Sequence, residues 1–425
     1  MKRYPEYKES GVEFIGEIPA HWEFKKLGYV SKIFKGGTPK RHVDKYFQGD
    51  LPWARPVDIT ALNGALYIDD TEIHISEEAL GNSAARRLPV GTVLLTSRAT
   101  IGETAITTVP MATNQGFANF VCNEELFNIY LVYYLQAIKD LLISLGSGTT
   151  FLEVTKRTLV GVGIPIPPLS EQTQIANFLD RKTKQIDELI NIKERRVELL
   201  QEQRTVLINQ TVTKGLDPNV ELKPSGVEWI GEIPAHWKIK KIKHIAILIS
   251  QKSTPETDAI KISPENVEPK TGKVLDFYSP HDSVGVKFQA GDVLFNKLRV
   301  YLSKVIFAEY SGYSLGEMIV IRPSLQATGK YLFYLMLSPR FIEYCNSISY
   351  GVKMPRTSVS DILNAQIPLA SYQEQIQIAN FLDLKTEQIN QLVSNEQRSI
   401  ELLKEYRQTL ISAVVTGKVD VRNEV

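Results

Sequence analysis

The chain states one phrase twice. Ser10 to Leu27 reads SGVEFIGEIPAHWEFKKL and Ser225 to Ile242 reads SGVEWIGEIPAHWKIKKI, with 14 of 18 positions identical at an offset of 215. A second pair follows at an offset of 203, IPIPPLSEQTQIANFLD from Ile164 to Asp180 and IPLASYQEQIQIANFLD from Ile367 to Asp383. An arm, a variable block and a helix start are thus written twice within 425 residues. A solenoid repeats every ~20–50 residues. Spacings this long instead indicate a duplicated domain pair, with a pseudo-two-fold relation inside one chain.

The second repeat opens a helix in each copy. Pro165, Pro167 and Pro168 exclude helix before it. Ser170 is the expected N-cap with Glu171 in the first turn, and Ser371 with Glu374 forms a capping box. Apolar residues then recur every three or four positions: Ile175, Leu179, Ile186, Leu189, Val197, Leu200 and Leu207, with Phe178 beside them. The second copy gives Ile378, Leu382, Ile389, Leu392, Ile400, Leu403 and Leu410, with Phe381. Gly215 and Gly417 are natural stops. Each helix is then about 42 residues, roughly 60 Å long. A stripe that narrow cannot be buried by one helix alone, which predicts that the two pack on each other as an antiparallel coiled coil. Lys182, Arg204, Lys385 and Arg407 are the polar seam positions that would fix its register. The plainer alternative is two amphipathic helices lying on separate cores.

The blocks between, roughly 28–163 and 243–366, mix strand-like runs with helical ones. TVLLTS (Thr92–Ser97), TAITTV (Thr104–Val109), DVLFNK (Asp292–Lys297) and KVIFAE (Lys304–Glu309) read as strands. Glu125–Leu145 and Gly329–Cys345 each read as one helix. The expected fold class is α+β, two pseudo-symmetric α+β domains joined by two long antiparallel coiled-coil helices. The expected division is 1–163 for the first arm and domain and 164–217 for the central helix. The second arm and domain take 218–366, and the distal helix and tail take 367–425. Each arm is expected to pack near a helix end, the first against the C-terminal helix.

Composition limits the chemistry. With 49 basic and 48 acidic residues the net charge is +1, which excludes a uniformly basic nucleic-acid binder but not local basic surfaces. No apolar run approaches the ~20 residues of a membrane span. MKRYPEYKES has no apolar core of a secretory signal, and Cys122 and Cys345 stand alone. A cytoplasmic chain without a metal site is therefore expected. No phosphate-binding GxxxxGK[ST], no HExxH, no G-x-S-x-G and no amino-methyltransferase Asp/Asn-Pro-Pro-Tyr motif occurs, so no catalysis and no cofactor is expected. His21 and His236, each in PAHW, read as packed, hydrogen-bonded structural histidines.

What the chain does offer is basic loops. FKGGTPKRH supplies Lys35, Gly36, Gly37, Thr38, Lys40 and Arg41, the glycines being expected to let amides approach phosphates. Arg55 follows in LPWARPVDI, and TSRATIG carries Arg98 and Thr100. GSGTTFLEVTKRT offers Thr149, Thr150, Lys156 and Arg157. In the second block FNKLRVYLSK carries Asn296, Lys297, Arg299 and Tyr301, and SYGVKMPRTS carries Tyr350, Lys353 and Arg356. Gly148 and Gly351 share the 203 offset, so those two loops are expected at equivalent points. Arg, Lys and Asn read base edges, while hydroxyls and amides hold phosphates. Any one such loop alone is more often a solvated surface turn.

IGEIPAHW, the run GGTP…LPWARPVDI, GTVLLTSRATIGETAI, TNQGF and IPIPPLSEQTQIANFLD together resemble the specificity subunit of type I restriction-modification systems, over nearly the whole chain. The resemblance implies that each block is a target recognition domain reading one half of a split site in double-stranded DNA. It implies that the helices space the half-sites and dock two copies of a DNA adenine methyltransferase subunit through the apolar positions named above. It further implies that restriction endonuclease/translocase subunits join, the partners supplying all catalysis. The second block departs from the pattern, with SQKSTPETDAIKISPENVEPKTGKV in place of GGTP…PW, so an asymmetric target is expected. The competing reading is a scaffold that gathers proteins rather than DNA. A third, a free-standing methyltransferase or nuclease, lacks its motifs.

Overall fold

The computed structural model describes residues 2–148, 151–256, 259–277 and 284–424. Thr149 and Thr150 lie outside the described residues. The chain divides into two compact units, Met1–Ile192 with Ser399–Val425, and Lys193–Arg398. Each takes a different stretch of the two long helices, Leu169–Lys214 and Tyr372–Val415.

The helices run to 46 and 44 residues. The first starts directly after Pro168, and the Glu171 amide donates to the Pro168 carbonyl at 2.8 Å, so Ser170 sits inside the first turn instead of capping it. In the second, Ser371 and Glu374 do cap each other: the Glu374 amide donates to Ser371 Oγ at 3.3 Å and the Ser371 amide to Glu374 Oε2 at 3.1 Å.

In the first unit an antiparallel sheet runs in the order Ser31–Lys35, Phe117–Cys122, Val93–Thr96 and Thr104–Thr107, with Tyr67–Ile68 added parallel at its edge. Leu51–Ala54 pairs in parallel with Ala112–Thr113 and antiparallel with His74–Ile75. The second unit repeats the frame with Ala246–Ile249, Met318–Pro323, Val293–Asn296 and Val305–Phe307. There Lys261–Ile262 takes the parallel place beside Gly312–Ser314. Val93–Thr96 and Val293–Asn296 are covered on both faces, which is why they read as continuous apolar runs rather than alternating ones.

Each predicted domain helix is two. Glu125–Leu145 resolves into Asn128–Ala137 and Lys139–Ser144, broken at Ile138. Gly329–Cys345 resolves into Gly329–Leu337 and Pro339–Ser347, because Pro339 pushes Ser338 to an extended conformation, φ −63° and ψ 139°.

Within each unit the identical letters of the repeat make identical bonds. Gln172 Oε1 accepts from the Phe127 amide and Gln375 Oε1 from the Thr328 amide, both at 2.8 Å. The Tyr133 hydroxyl donates to Asp180 at 2.6 Å and the Tyr334 hydroxyl to Asp383 at 2.7 Å. The arms repeat too. Glu23–Lys26 pairs with Gly163–Ile166, and Lys238–Lys241 with Gln366–Leu369. In the first unit the Tyr7 hydroxyl donates to the Gly417 carbonyl at 3.1 Å, and Lys418 Nζ to the Glu17 carbonyl at 2.6 Å. The first arm therefore meets the end of the second long helix.

The long helices touch each other within both units. In the first, Arg407 Nε lies 2.8 Å from Asp187, while Val415 lies beside Pro165 on the Tyr130 hydroxyl. In the second, Glu396 binds Lys193 at 2.8 Å and Arg196 at 2.9 Å, while Val212 and Pro368 share Tyr331. Rising numbers on one helix meet falling numbers on the other, so the contact is antiparallel in each unit. Ile175, Phe178, Leu179, Ile186, Ile378, Leu382, Ile389 and Leu410 are buried, and Leu200, Leu207, Phe381 and Leu403 are half-buried. The stripe differs at two places. Leu189 and Leu392 point outward, 41% and 43% exposed, and Ile190 at 6%, four residues on from Ile186, takes the inner place. The polar seam differs as well. Arg204 donates instead to the carbonyls of Lys270 and Thr271 at 2.7 and 2.8 Å, and Lys385 to Gln388 on its own helix. Of the four predicted seam residues, only Arg407 reaches the facing helix among the described residues. No helix of the described residues is long and apolar enough to cross a membrane.

Candidate nucleic-acid interface

Each domain ends its central hairpin in a turn hung on main-chain hydrogen bonds. In the first, the Ser97 amide donates to the Gly116 carbonyl at 2.7 Å, the Ala99 amide to Leu152 at 3.0 Å, and the Val154 amide to the Ser97 carbonyl at 2.8 Å. In the second, the Lys297 amide donates to Glu317 at 3.2 Å, the Arg299 amide to Pro355 at 2.7 Å, and the Thr357 amide to Lys297 at 3.0 Å. Ser97 thus corresponds to Lys297, Ala99 to Arg299, Gly116 to Glu317 and Glu153 to Arg356. Ala99 and Arg299 are both left-handed, at φ 64° and 50°. That conformation costs a side-chain-bearing residue roughly 1–2 kcal/mol, and the flanking bonds hold it. The bracing loops match too, with Gly148 and Gly351 at φ 131° and 94°.

The correspondence reaches into the stretch where the two sequences part. After Leu51–Ala54 the chain turns through Arg55-Pro56, with the Arg55 amide donating to Asp58 at 2.7 Å. After Lys261–Ile262 it turns through Ser263-Pro264, with the Ser263 amide donating to Asn266 at 2.8 Å. ARPVDI and ISPENV are the same turn. The signal was the proline followed two places later by a short capping side chain.

The candidates fall into two groups. Lys40, Arg41, Thr100, Lys156, Arg157, Arg299, Tyr301, Tyr350 and Lys353 are exposed. Arg98 is half-buried, its guanidinium 5.4 Å over the Phe151 ring. The others are engaged internally. Arg55 pairs with Asp58 and Glu72, which raise its pKa. Lys35 pairs with Glu153, and Thr38 donates to Gln115. Asn296 closes its own turn, donating to the Leu298 carbonyl at 2.7 Å. Lys297 and Arg356 both bind Glu317.

Gly36 and Gly37 correct the phosphate-cradle expectation. Their amides go to the Phe117 and Thr113 carbonyls, at 3.4 and 2.9 Å. A Cβ on Gly36 would stand 1.8 Å from the Asn114 carbonyl oxygen, and one on Gly37 2.2 Å from the backbone of Ala84. These glycines allow close strand packing, not ligand approach.

The recurring histidine and tryptophan are structural. Glu171 accepts from Trp22 Nε1 at 3.1 Å and the Tyr4 hydroxyl at 2.7 Å, and lies 2.8 Å from His21 Nε2. Glu374 repeats the arrangement with Trp237 at 3.3 Å and His236 at 2.7 Å. Among the described residues no group of three or more His, Cys, Asp or Glu is placed to hold a metal ion.

The family model of the type I restriction modification DNA specificity domain matches residues 19–199 and again 234–402. The type I restriction enzyme MjaIX specificity subunit of Methanocaldococcus jannaschii is 29% identical over 98% of this chain and 97% of its own. The MjaVIII specificity subunit of the same organism is 24% identical over 96% and 95%. The structure of the HsdS subunit from Thermoanaerobacter tengcongensis shares the fold at a TM-score of 0.54 and 16% identity, covering 95% of this chain and 98% of that one. A chain from a study of complex assembly and conformational transition of the type I R-M system matches at a TM-score of 0.69 and 16% identity, over 95% and 99%.

Proposed function

Since the chain belongs to the family of type I restriction modification DNA specificity domains, we propose that it is the DNA sequence-recognition subunit of such a system. It works with methyltransferase and restriction subunits on DNA. The finer reading is that each domain addresses one half of a bipartite target, and that the two long helices set the gap between halves. Two methyltransferase copies would dock there, on the two equivalent arms and the outward apolar residues, Leu189 and Leu392 among them. Methyl transfer, translocation and cleavage belong to those partners, and the cytoplasm is the place of action. The functional division is 1–163, 164–217, 218–366 and 367–425.

One observation carries the recognition reading. The same main-chain-hung turn stands in both domains, with Arg98 and Thr100 on one and Arg299 and Tyr301 on the other. Equal frames with unequal side chains suit two different half-sites, since base edges are distinguished by the donors and acceptors presented to them.

The test is modification mapping. The chain is expressed with its methyltransferase partner in a host lacking other adenine methylation, and methylated adenines are located across the genome. A single asymmetric split motif is expected. Methylation without sequence preference, or none with an active partner, would overturn the reading.

A further inference from the structure

Three charged side chains meet at the turn of the second domain. Glu317 Oε2 lies 3.2 Å from Lys297 Nζ, and Glu317 Oε1 lies 2.5 Å from Arg356 Nη2. All three are partly open to solvent, the side chains being 24%, 29% and 40% exposed for Lys297, Glu317 and Arg356. They come from three separate pieces of chain: the end of Val293–Asn296, the start of Met318–Pro323, and the bracing loop. Glu317 also faces a cavity of about 440 Å³ whose wall includes Asn296, Arg299, Lys304 and Met354. The corresponding residues of the first domain, Ser97, Gly116 and Glu153, contain no such triad, so it is not required to build the turn.

Resting on the DNA-recognition reading, we infer that Glu317 is a specificity-determining residue that acts through Lys297 and Arg356. Its carboxylate orients both cations while reducing their summed charge from +2 to +1. These two effects bear on different binding modes. Binding to DNA of arbitrary sequence is almost wholly phosphate electrostatics, so it responds to net charge. Binding to the correct half-site depends on where donors are held, so it responds to geometry. Glu317 thereby weakens the first mode and supports the second.

The experiment compares the full-length chain with its Glu317→Gln, Lys297→Gln and doubly substituted forms. Each is titrated onto a random-sequence duplex and onto the mapped target across a range of salt. Glu317→Gln keeps the side-chain shape and removes one negative charge. Its non-specific affinity should rise about five- to tenfold near 0.1 M salt, with log K falling about 0.9 more steeply per log unit of salt. The ratio of target to random affinity should fall. Lys297→Gln should make the slope shallower by a similar amount, and the double variant should return to the parent slope. If Glu317→Gln does not fold, Glu317→Asp, which keeps the charge and shortens the reach to both cations, decides: the ratio of target to random affinity should fall while the slope stays at the parent value, and an unchanged ratio overturns the role of Glu317. A parent chain that binds duplex with the usual salt dependence, while neither single variant moves the slope, overturns the role of Glu317 and leaves DNA recognition standing. A parent chain with no salt-dependent duplex binding overturns the DNA reading itself. Equal loss of target and random affinity in Glu317→Gln would reduce Glu317 to a structural brace.

Discussion

The Tyr130 hydroxyl lies 3.0 Å from the carbonyl oxygen of Val415, 285 positions along the chain, and 2.9 Å from that of Pro165. Burial raises the Tyr130 pKa far above its ordinary value, so the group remains a donor. In the second unit the Tyr331 hydroxyl stands in the same relation to Pro368 at 2.9 Å and Val212 at 3.5 Å. One hydroxyl thus ties the end of one long helix to the strand that introduces the other. Tyr130→Phe deletes the single O–H that the two carbonyls share. A loss of about 1–3 kcal/mol is expected, read as a lower midpoint in denaturant unfolding. Tyr331→Phe should cost a similar amount or less, because its second contact is longer. A midpoint unchanged in both would refute the tie.

Glu374 makes acid stability predictable. Burial pushes its carboxyl up, but hydrogen bonds from Ser371, His236 and Trp237 outweigh burial and bring the pKa down to about 2. An ordinary glutamate titrates near ~4.3. A pKa depressed by folding contributes stability that is complete above the unfolded value and disappears as pH falls through the folded one. Glu374→Gln should therefore destabilise the chain by a constant amount above about pH 5, and the difference should shrink between about pH 4.5 and 2. Unfolding midpoints measured across that range check it. A difference that grows on acidification would have the wrong sign.

Arg98 and Arg299 should act on separate halves of the target. Arg98→Ala is expected to weaken or relax recognition of one half-site and Arg299→Ala of the other, each by about 1–3 kcal/mol of discrimination. Competition among duplexes altered in a single half gives the readout. Equal loss in both halves from either variant would count against a division of recognition between the domains.

The long helices offer a geometric test. Inserting four residues into each, after Ile192 and after Arg398, adds one turn of about 6 Å. B-DNA advances ~3.4 Å per base pair. The preferred gap between half-sites should therefore lengthen by about two base pairs, as read by binding-site selection. An unchanged gap would remove the spacer role.

The duplication, both long helices and the arm contacts were legible because they are written in repeated letters or in 3.6-residue periodicity. Gln172, Asp180, Gln375 and Asp383 were visible as identity, though not as partners of Phe127, Tyr133, Thr328 and Tyr334, because pairing across 45 or more positions leaves no local pattern. The inward place expected for Leu189 belongs to Ile190, since Ile186, Leu189 and Ile190 fit the helical period equally well and only the facing helix chooses between them. The break at Ser338 was readable from Pro339, whereas the break at Ile138 has no proline to announce it. At the candidate site the basic residues were visible, but their counter-ions were not. Glu317 lies 20 positions from Lys297 and 39 from Arg356, so no local spacing marks the three as one cluster. The glycines of FKGGTPKRH misled for a related reason. Permissive backbone serves strand packing as well as it serves a ligand, and only the neighbours at Asn114 and Ala84 decide which.

The suspension of both turns from amides and carbonyls has an evolutionary consequence. Every residue except proline carries both groups whatever its side chain, so the frame survives other changes at residues 98–100 or 298–301. Away from the left-handed positions 99 and 299, substitution there alters the side chains on show at little cost in folding. A lineage built this way can change the side chains it presents by point mutation, one domain at a time, while the repeated arms and their hydrogen bonds stay as they are.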